Sequence, residues 1–165
     1  MLAYRYGDFS AFESLYIRYK NRVFAYIARQ CPANVVEEVA QEIWAAIIQS
    51  AENYTVKAKF KTYLYQIAHN KVVDYWRRKK PDTEQIDEED LIDHSHSSSS
   101  QEHSYAELMA AISGLPKEQR DTFLLREEGF SQEDIATITG CGRETVKSRL
   151  RYATQTLQKQ LGVSS

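Results

Sequence analysis

Apolar residues recur at spacings of three and four along most of the chain, and no segment alternates as a strand does. That pattern predicts an all-α protein. Phe12, Leu15, Tyr16, Tyr19, Val23 and Ile27 share one side of a helix expected from about Asp8 to Gln30, with Asp8 as N-cap and Pro32 just past its end. Val36, Val39, Ile43, Ile47 and Ile48 mark a second helix starting near Asn34, where Glu37 would complete a capping box. NYTVKAKF, Asn53 to Phe60, has no period and reads as a loop. Phe60, Tyr63, Leu64, Ile67, Ala68, Val72 and Tyr75 predict a long third helix, about Lys59 to Lys80, which Pro81 ends.

The pattern then lapses. Residues 81–104 are acidic, serine-rich and poor in bulky apolar groups, so they bury too little surface to offset the entropy of ordering; a flexible linker is expected there. His94, His96 and His103 fall within it and read as solvated side chains, because nothing pre-organises them around a metal. Helical spacing resumes with Leu108, Met109 and Ile112 between Tyr105 and Ser113, closed by Gly114. LPKEQRDTFLLREEG predicts the next helix, with Pro116 at its first position and Gly129 at its end.

SQEDIATITGCGRETVKSRLRYA, Ser131 to Ala153, reads as two short helices around a tight turn. Ser131 and Asp134 form a variant capping box; Ile135, Ala136 and Ile138 face inward. Gly140 supplies the turn. Val146, Leu150, Ala153 and Leu157 are the inward side of a helix from about Arg143 to Leu161. A small residue, a glycine four later and a branched apolar residue six after that fit a helix-turn-helix. The outer face of the second helix carries Arg143, Lys147, Arg149 and Arg151, with Glu144, Thr145 and Ser148 able to reach base edges or phosphates. Glu144 has two readings, an acceptor for a cytosine amino group or a helix-dipole contact.

Composition sharpens this division. The 165 residues are 42% hydrophobic and 27% charged, enough for one ordinary domain or two small ones. Net charge is only −2, but residues 1–80 carry +6, residues 81–104 carry −8 and residues 105–165 are neutral. The expected organisation is therefore a basic domain (1–80), an acidic linker (81–104) and a neutral helix-turn-helix domain (105–165). No stretch is long and apolar enough for a membrane span, and MLAYRYGDFSAFE lacks the apolar core of a signal peptide. Cys31 and Cys141 have no metal or disulfide spacing, and no metal or cofactor is expected.

Nine of the eleven tyrosines and both tryptophans lie in residues 1–80. FKTYLYQIAHNKVVDYWRRKK interleaves rings that stack on unpaired bases with cations that track phosphates, which is single-strand-binding chemistry. Many of these rings also sit at core spacing. Arg77, Arg78, Lys79 and Lys80 crowd one helix end, with Lys57, Lys59 and Lys61 near the other. The second helix is different: Glu37, Glu38, Gln41 and Glu42 form an acidic side that repels phosphate and suits a basic protein partner.

These segments, taken together, resemble the extracytoplasmic-function (ECF) sigma factors of bacterial RNA polymerase. GDFSAFESLYIRYKNRVFAYI resembles their first helix and VVEEVAQEIW the helix that grips core polymerase. KFKTYLYQIAHNKVVDYWRRKK resembles the minus-10 reading segment, and LPKEQRDTFLLREEGFSQEDIATITGCGRETVKSRL the minus-35 domain. The resemblance implies that Glu37, Glu38, Gln41 and Glu42 bind polymerase. It implies that Lys57, Lys59, Phe60, Lys61, Tyr63, Asn70, Lys71, Trp76, Arg77 and Arg78 handle single-stranded minus-10 DNA, and that Arg143, Glu144, Thr145, Lys147, Ser148, Arg149 and Arg151 face minus-35 duplex. It implies a cytoplasmic initiation factor rather than an enzyme, commonly restrained by an anti-sigma factor. Tyr63 stands where the family often has Trp, Val35 where an acidic residue is frequent, Gly142 where a capping Ser is common and Cys141 in a usually aliphatic slot.

Two other classes compete. A stand-alone helix-turn-helix regulator accounts for the C-terminal half but not for the acidic helix or the aromatic domain. A recombinase needs an activated nucleophile, and Ser10, Ser14 and Ser50 lack a convincing arrangement. The acidic linker invites one further expectation: Asp87, Glu88, Glu89 and Asp90 compete with DNA for Arg77 and Arg78.

Overall fold

The computed structural model describes residues 1–79 and 100–162, the side chains of 100–104 excepted. Those residues form helices and turns with no strand, in two compact units. Lys80, the acidic segment with Asp87 to Asp90, His94 and His96 lie outside what is described, as does the side chain of His103.

The first unit contains α1 (Leu2–Arg5), α2 (Phe9–Ala28), α3 (Val36–Gln49) and α4 (Phe60–Lys79). The Asp8 carboxylate caps α2 as expected, accepting from the Ala11 N–H at 3.2 Å and from the Ser10 hydroxyl at 2.6 Å. Those bonds favour the ionised form and hold the Asp8 carboxyl below its ordinary pKa, the Ser10 bond most of all. α3 packs on both α2 and α4. Val23, Tyr26, Ile27, Val36, Val39, Ile43, Trp44, Ile47, Leu64, Tyr65, Ala68, Val72 and Tyr75 make the core.

Four details differ from the expected pattern. A one-turn helix, α1, precedes Asp8, and Arg5 ties it down by donating to the Tyr54 carbonyl at 3.1 Å. The Asn34–Glu37 capping box does not form. Residues Ala33–Val35 make a 3-10 turn, so Asn34 is inside a turn already, and Val35 at the N-cap has no side chain that can accept a hydrogen bond. Ile48 is 45% exposed: Ile47 takes the core position, and one residue further turns the side chain away. Tyr16 is half-exposed at the rim, although its ring meets Trp44 edge-on at 5.0 Å.

The second unit contains α5 (Ser100–Ser113), α6 (Lys117–Glu127), α7 (Gln132–Thr139) and α8 (Arg143–Leu161). α5 starts at Ser100, earlier than the apolar spacing suggests. Pro116 is the N-cap of α6 rather than its first residue, with ψ of 142° still extended. α5 and α6 both pack on α8. Leu115, Leu124, Leu125, Phe130, Ile135, Ile138, Val146, Ala153 and Leu157 are buried. Arg120 secures the α5–α6 corner by donating to the Ser113 and Leu115 carbonyls.

The Ser131–Asp134 capping box forms in full, with each residue's side chain bound to the other's backbone N–H. Gly140 ends α7 at φ 67°, the left-handed conformation a side chain disfavours. Gly142 then starts α8 without a side-chain cap. The turn is thus firmly stopped on one side and lightly started on the other.

Candidate functional site

Three surfaces hold the residues singled out by sequence. On α3, Glu37, Glu38 and Gln41 are exposed, and Glu42 is half-buried. Glu38 and Glu42 are one turn apart, so their carboxylates share a side of the helix. Val36, Val39 and Ile43 bury the opposite side. The helix therefore offers its acidic residues outward because its apolar stripe is fully used within the core.

Glu42 does not stand alone. Its Oε2 lies 3.6 Å from Lys71 Nζ, and its Oε1 accepts from Arg78 Nη2 at 3.4 Å. Lys71 and Arg78 are two turns apart on α4, so one carboxylate spans both. Arg77 pairs with Asp74 at 3.2 Å on the same helix. Arg77, Arg78 and Lys79 occupy the last turn of α4, where cations also favour the helix dipole. The acidic face of α3 and the basic end of α4 are thus adjoining parts of one unit.

The other end of α4 is aromatic. Phe60 stands 5.8 Å from Tyr19 and 6.4 Å from Tyr63, and Tyr63 stands 5.1 Å from Tyr54. The Tyr63 hydroxyl donates to Ser50 Oγ at 2.6 Å, and Ser50 Oγ donates to the Ile47 carbonyl at 3.0 Å. This relay ties the Tyr63 ring to the end of α3. Burial raises the Tyr54 phenol above its ordinary pKa, with the neighbouring Tyr63 adding to the shift. Lys57 and Lys59 are exposed in the loop before α4.

Tyr63, exposed Asn70 and Arg77 recur at seven-residue intervals, so they line one side of α4 over about 21 Å. Two other candidates have internal contacts. Lys61 sits over the Tyr65 ring at 5.8 Å. Trp76 donates its indole N–H to the Gln30 carbonyl at 3.0 Å, helping to close the end of α2.

In the second unit, α8 sorts its seven candidates. Glu144, Ser148 and Arg151 lie opposite the buried stripe of Val146, Ala153 and Leu157, with exposed Thr145 and Lys147 on its two flanks. Arg151 Nη2 donates to the Tyr152 hydroxyl at 3.3 Å, and its guanidinium lies over that ring at 4.9 Å. Arg143 pairs with Glu133 of α7 at 3.0 Å. Arg149 is half-buried and reaches Cys141 Sγ at 3.6 Å, inside the turn. At 100° per residue, Arg143 and Arg149 flank the buried stripe more closely than Lys147 and Arg151 do, and their contacts to Glu133 and Cys141 agree with that placement.

Among the described residues, no three His, Cys, Asp or Glu gather as metal ligands, and no helix is long and apolar enough to cross a membrane.

Comparison with known proteins adds sequence and fold relatives. Residues 15–81 match Sigma-70 region 2, and residues 105–157 match Sigma-70 region 4. The chain is 30% identical to the ECF RNA polymerase sigma-E factor of Haemophilus influenzae, over 94% of this chain and 89% of that protein. It is 27% identical to the Escherichia coli protein of the same name, over 94% and 88%. Among solved structures, its fold is similar to the sigma factor RpoE of Bartonella quintana, crystallised with the anti-sigma factor NepR. The TM-score is 0.74 at 22% identity, covering 94% of this chain and 99% of that one. It is also similar to CnrH, solved with the cytosolic domain of CnrY, at TM-score 0.71 and 20% identity, covering 98% and 94%.

Proposed function

The chain belongs to the sigma-70 family as an ECF-type sigma factor, and on that premise we propose which of its surfaces performs each part of initiation. It binds core RNA polymerase, directs it to specific promoters and helps to open the minus-10 element. In our reading, Glu37, Glu38, Gln41 and Glu42 on α3 engage a basic surface of core polymerase. Lys57, Lys59, Phe60, Lys61, Tyr63, Asn70, Lys71, Trp76, Arg77 and Arg78 hold the opened minus-10 strand. Glu144, Thr145, Lys147, Ser148 and Arg151 face the minus-35 duplex, while Arg143 and Arg149 approach it from the edges of α8.

The observation that supports this reading is the placement of opposite charges in the first unit. An acidic helix suited to a protein lies beside a basic, aromatic helix suited to unpaired bases. Rings supply sequence-tolerant stacking, worth about 1–3 kcal/mol per base, and cations supply the salt-dependent grip on phosphate. The second unit offers the helix-turn-helix geometry that reads duplex in the major groove. No step in this scheme makes or breaks a covalent bond in the protein or the DNA. An anti-sigma partner and a cytoplasmic location belong to the same proposal, the first suggested by the complexes in which similar folds were solved.

Run-off transcription with purified core polymerase on a mixed library of genomic fragments tests the whole reading. Discrete new start sites that depend on this protein are expected, and their alignment reveals both promoter elements. A folded sample that fails to bind core polymerase overturns it in favour of a stand-alone DNA-binding regulator.

A further inference from the structure

The loop that leads into α4 starts from a residue held on three sides. The Tyr54 N–H donates to the Ala51 carbonyl at 3.2 Å, its ring stands 5.1 Å from Tyr63, and its carbonyl accepts from Arg5 Nη1 at 3.1 Å. Tyr54 itself is buried, whereas Thr55, Val56, Lys57 and Lys59 after it are exposed, Val56 by 64%. The first two contacts come from neighbours on the same α3–loop–α4 stretch. Arg5 comes from outside it.

α1, which carries Arg5, is itself fastened. The Tyr4 ring stands 5.9 Å from Phe9 and 5.0 Å from Phe12 of α2. Gly7, at φ 97°, turns the chain back, and the Asp8 N–H donates to the Ala3 carbonyl at 3.0 Å. α1 also packs on the 3-10 turn Ala51–Asn53 that precedes Tyr54. We infer that Arg5 is a positioning residue for strand capture: by holding the Tyr54 carbonyl it sets the path of residues 55–59, and with it where Lys57, Lys59 and Phe60 meet the opened strand.

The inference rests on the minus-10 assignment above and adds a residue that lies outside it. A loop already fixed at its base loses less conformational freedom when a nucleotide docks, so more of the contact energy appears as affinity. Arg5 is also an exposed cation, and direct contact with phosphate is the competing account. Salt dependence separates the two. A phosphate contact to a single strand adds about 0.7 to the slope of log K against log salt, and a bond to a carbonyl adds nothing.

Two measurements on the full-length protein test this. The first is amide exchange of residues 55–59 in the free protein. The second is binding of a fluorescein-labelled random-sequence single-stranded oligonucleotide by the polymerase-bound protein, taken as the increment over core polymerase alone, since stacking tolerates any base. Arg5→Ala is expected to speed exchange in residues 55–59 and leave α3 and α4 as protected as before. Strand binding should weaken about three- to tenfold, the loss of one partly exposed hydrogen bond, at an unchanged salt slope. Arg5→Lys keeps a charged donor and should restore most of both.

A slope lowered by about 0.7 makes Arg5 a phosphate contact and overturns the inference. A fall in melting temperature with an equal loss of polymerase binding overturns it too, as general packing. Tyr63→Ala separates the inference from the surface assignment. If Tyr63→Ala weakens strand binding while Arg5→Ala stays silent, only the positioning role fails. If Tyr63→Ala also leaves strand binding unchanged, the minus-10 assignment fails and takes the inference with it.

Discussion

On the assignments proposed above, the first unit ties three of its candidate DNA-binding cations to its own carboxylates; α8 of the second leaves Lys147 and Arg151 facing outward. Lys71 and Arg78 lean on Glu42, and Arg77 leans on Asp74. On α8, Lys147 is exposed, and Arg151 rests on the neutral ring of Tyr152, which leaves its charge undiminished. Duplex phosphates are available to any protein that meets DNA, so a helix that reads duplex gains from unmasked charge. An opened strand exists only within an initiation complex, so a surface built to hold one loses little by being covered until then. If those assignments hold, the difference between the two units is one of when each contact is useful.

The largest effect should follow from reversing the acidic face of α3. Glu37→Lys with Glu38→Lys should abolish polymerase binding, by at least about 100-fold, because like charges placed across an interface cost several kcal/mol. Circular dichroism and the melting temperature should stay near wild type, since both side chains are exposed. Retained binding in a pull-down would remove that face from the polymerase interface.

Tyr63 offers a subtler contrast inside the first unit. Tyr63→Ala should weaken open-complex formation roughly 5- to 100-fold, the loss of one stacked base. Tyr63→Phe keeps the ring and loses only the bond to Ser50, so permanganate footprinting should show nearly normal opening. Equal defects would mean that the Ser50 relay matters more than the stacking surface.

Lys147→Ala and Arg151→Ala should each lower the slope of log K against log salt on minus-35 duplex by about 1, because each removes one phosphate contact. Arg149→Ala should also weaken promoter binding and flatten the slope. It additionally loses the Cys141 contact, so its melting temperature should fall where that of Lys147→Ala does not. An unchanged slope for Lys147 and Arg151 would argue that α8 meets DNA along a different side.

The smallest effects concern the caps. Ser131→Ala should cost about 1 kcal/mol, read as faster amide exchange in α7, because Asp134 loses its reciprocal partner. Asp8→Asn is predicted to act through pH. The folded-state pKa of Asp8 lies below its unfolded value, so its stabilisation is fully present above the unfolded pKa. It is lost as pH falls through the folded one. The variant should therefore show a shallower acid limb in a melting series; an identical limb would mean that the cap contributes no pH-dependent stability.

Much of this architecture was legible in the sequence because it is local. The Asp8 cap, the Ser131–Asp134 box and the left-handed Gly140 each depend on residues within a few positions of one another. The inward stripe of α8 follows from period alone. Where neighbours compete, local reading failed: Asn34 entered a 3-10 turn before it could cap α3, and Ile48 lost the core position to Ile47. The site was legible as types of residue on predicted faces. Its ion pairs were not, because Glu42 meets Lys71 and Arg78 only through the packing of α3 on α4. Nor could spacing show that Arg149 turns toward Cys141 or that Trp76 closes α2.

Both tryptophans lie in the first unit: Trp44 buried against Phe12 and Tyr16, and Trp76 half-buried beside the basic end of α4. The described part of the second unit carries no indole at all. Excitation near the red edge of protein absorbance therefore illuminates only one half of the molecule. If Trp76 meets the opened strand as proposed, its emission would follow the arrival of an unpaired base, while duplex docking on α8 would leave it unchanged. The native chain is thus its own half-labelled optical reporter, able to time strand capture apart from promoter search without any added dye.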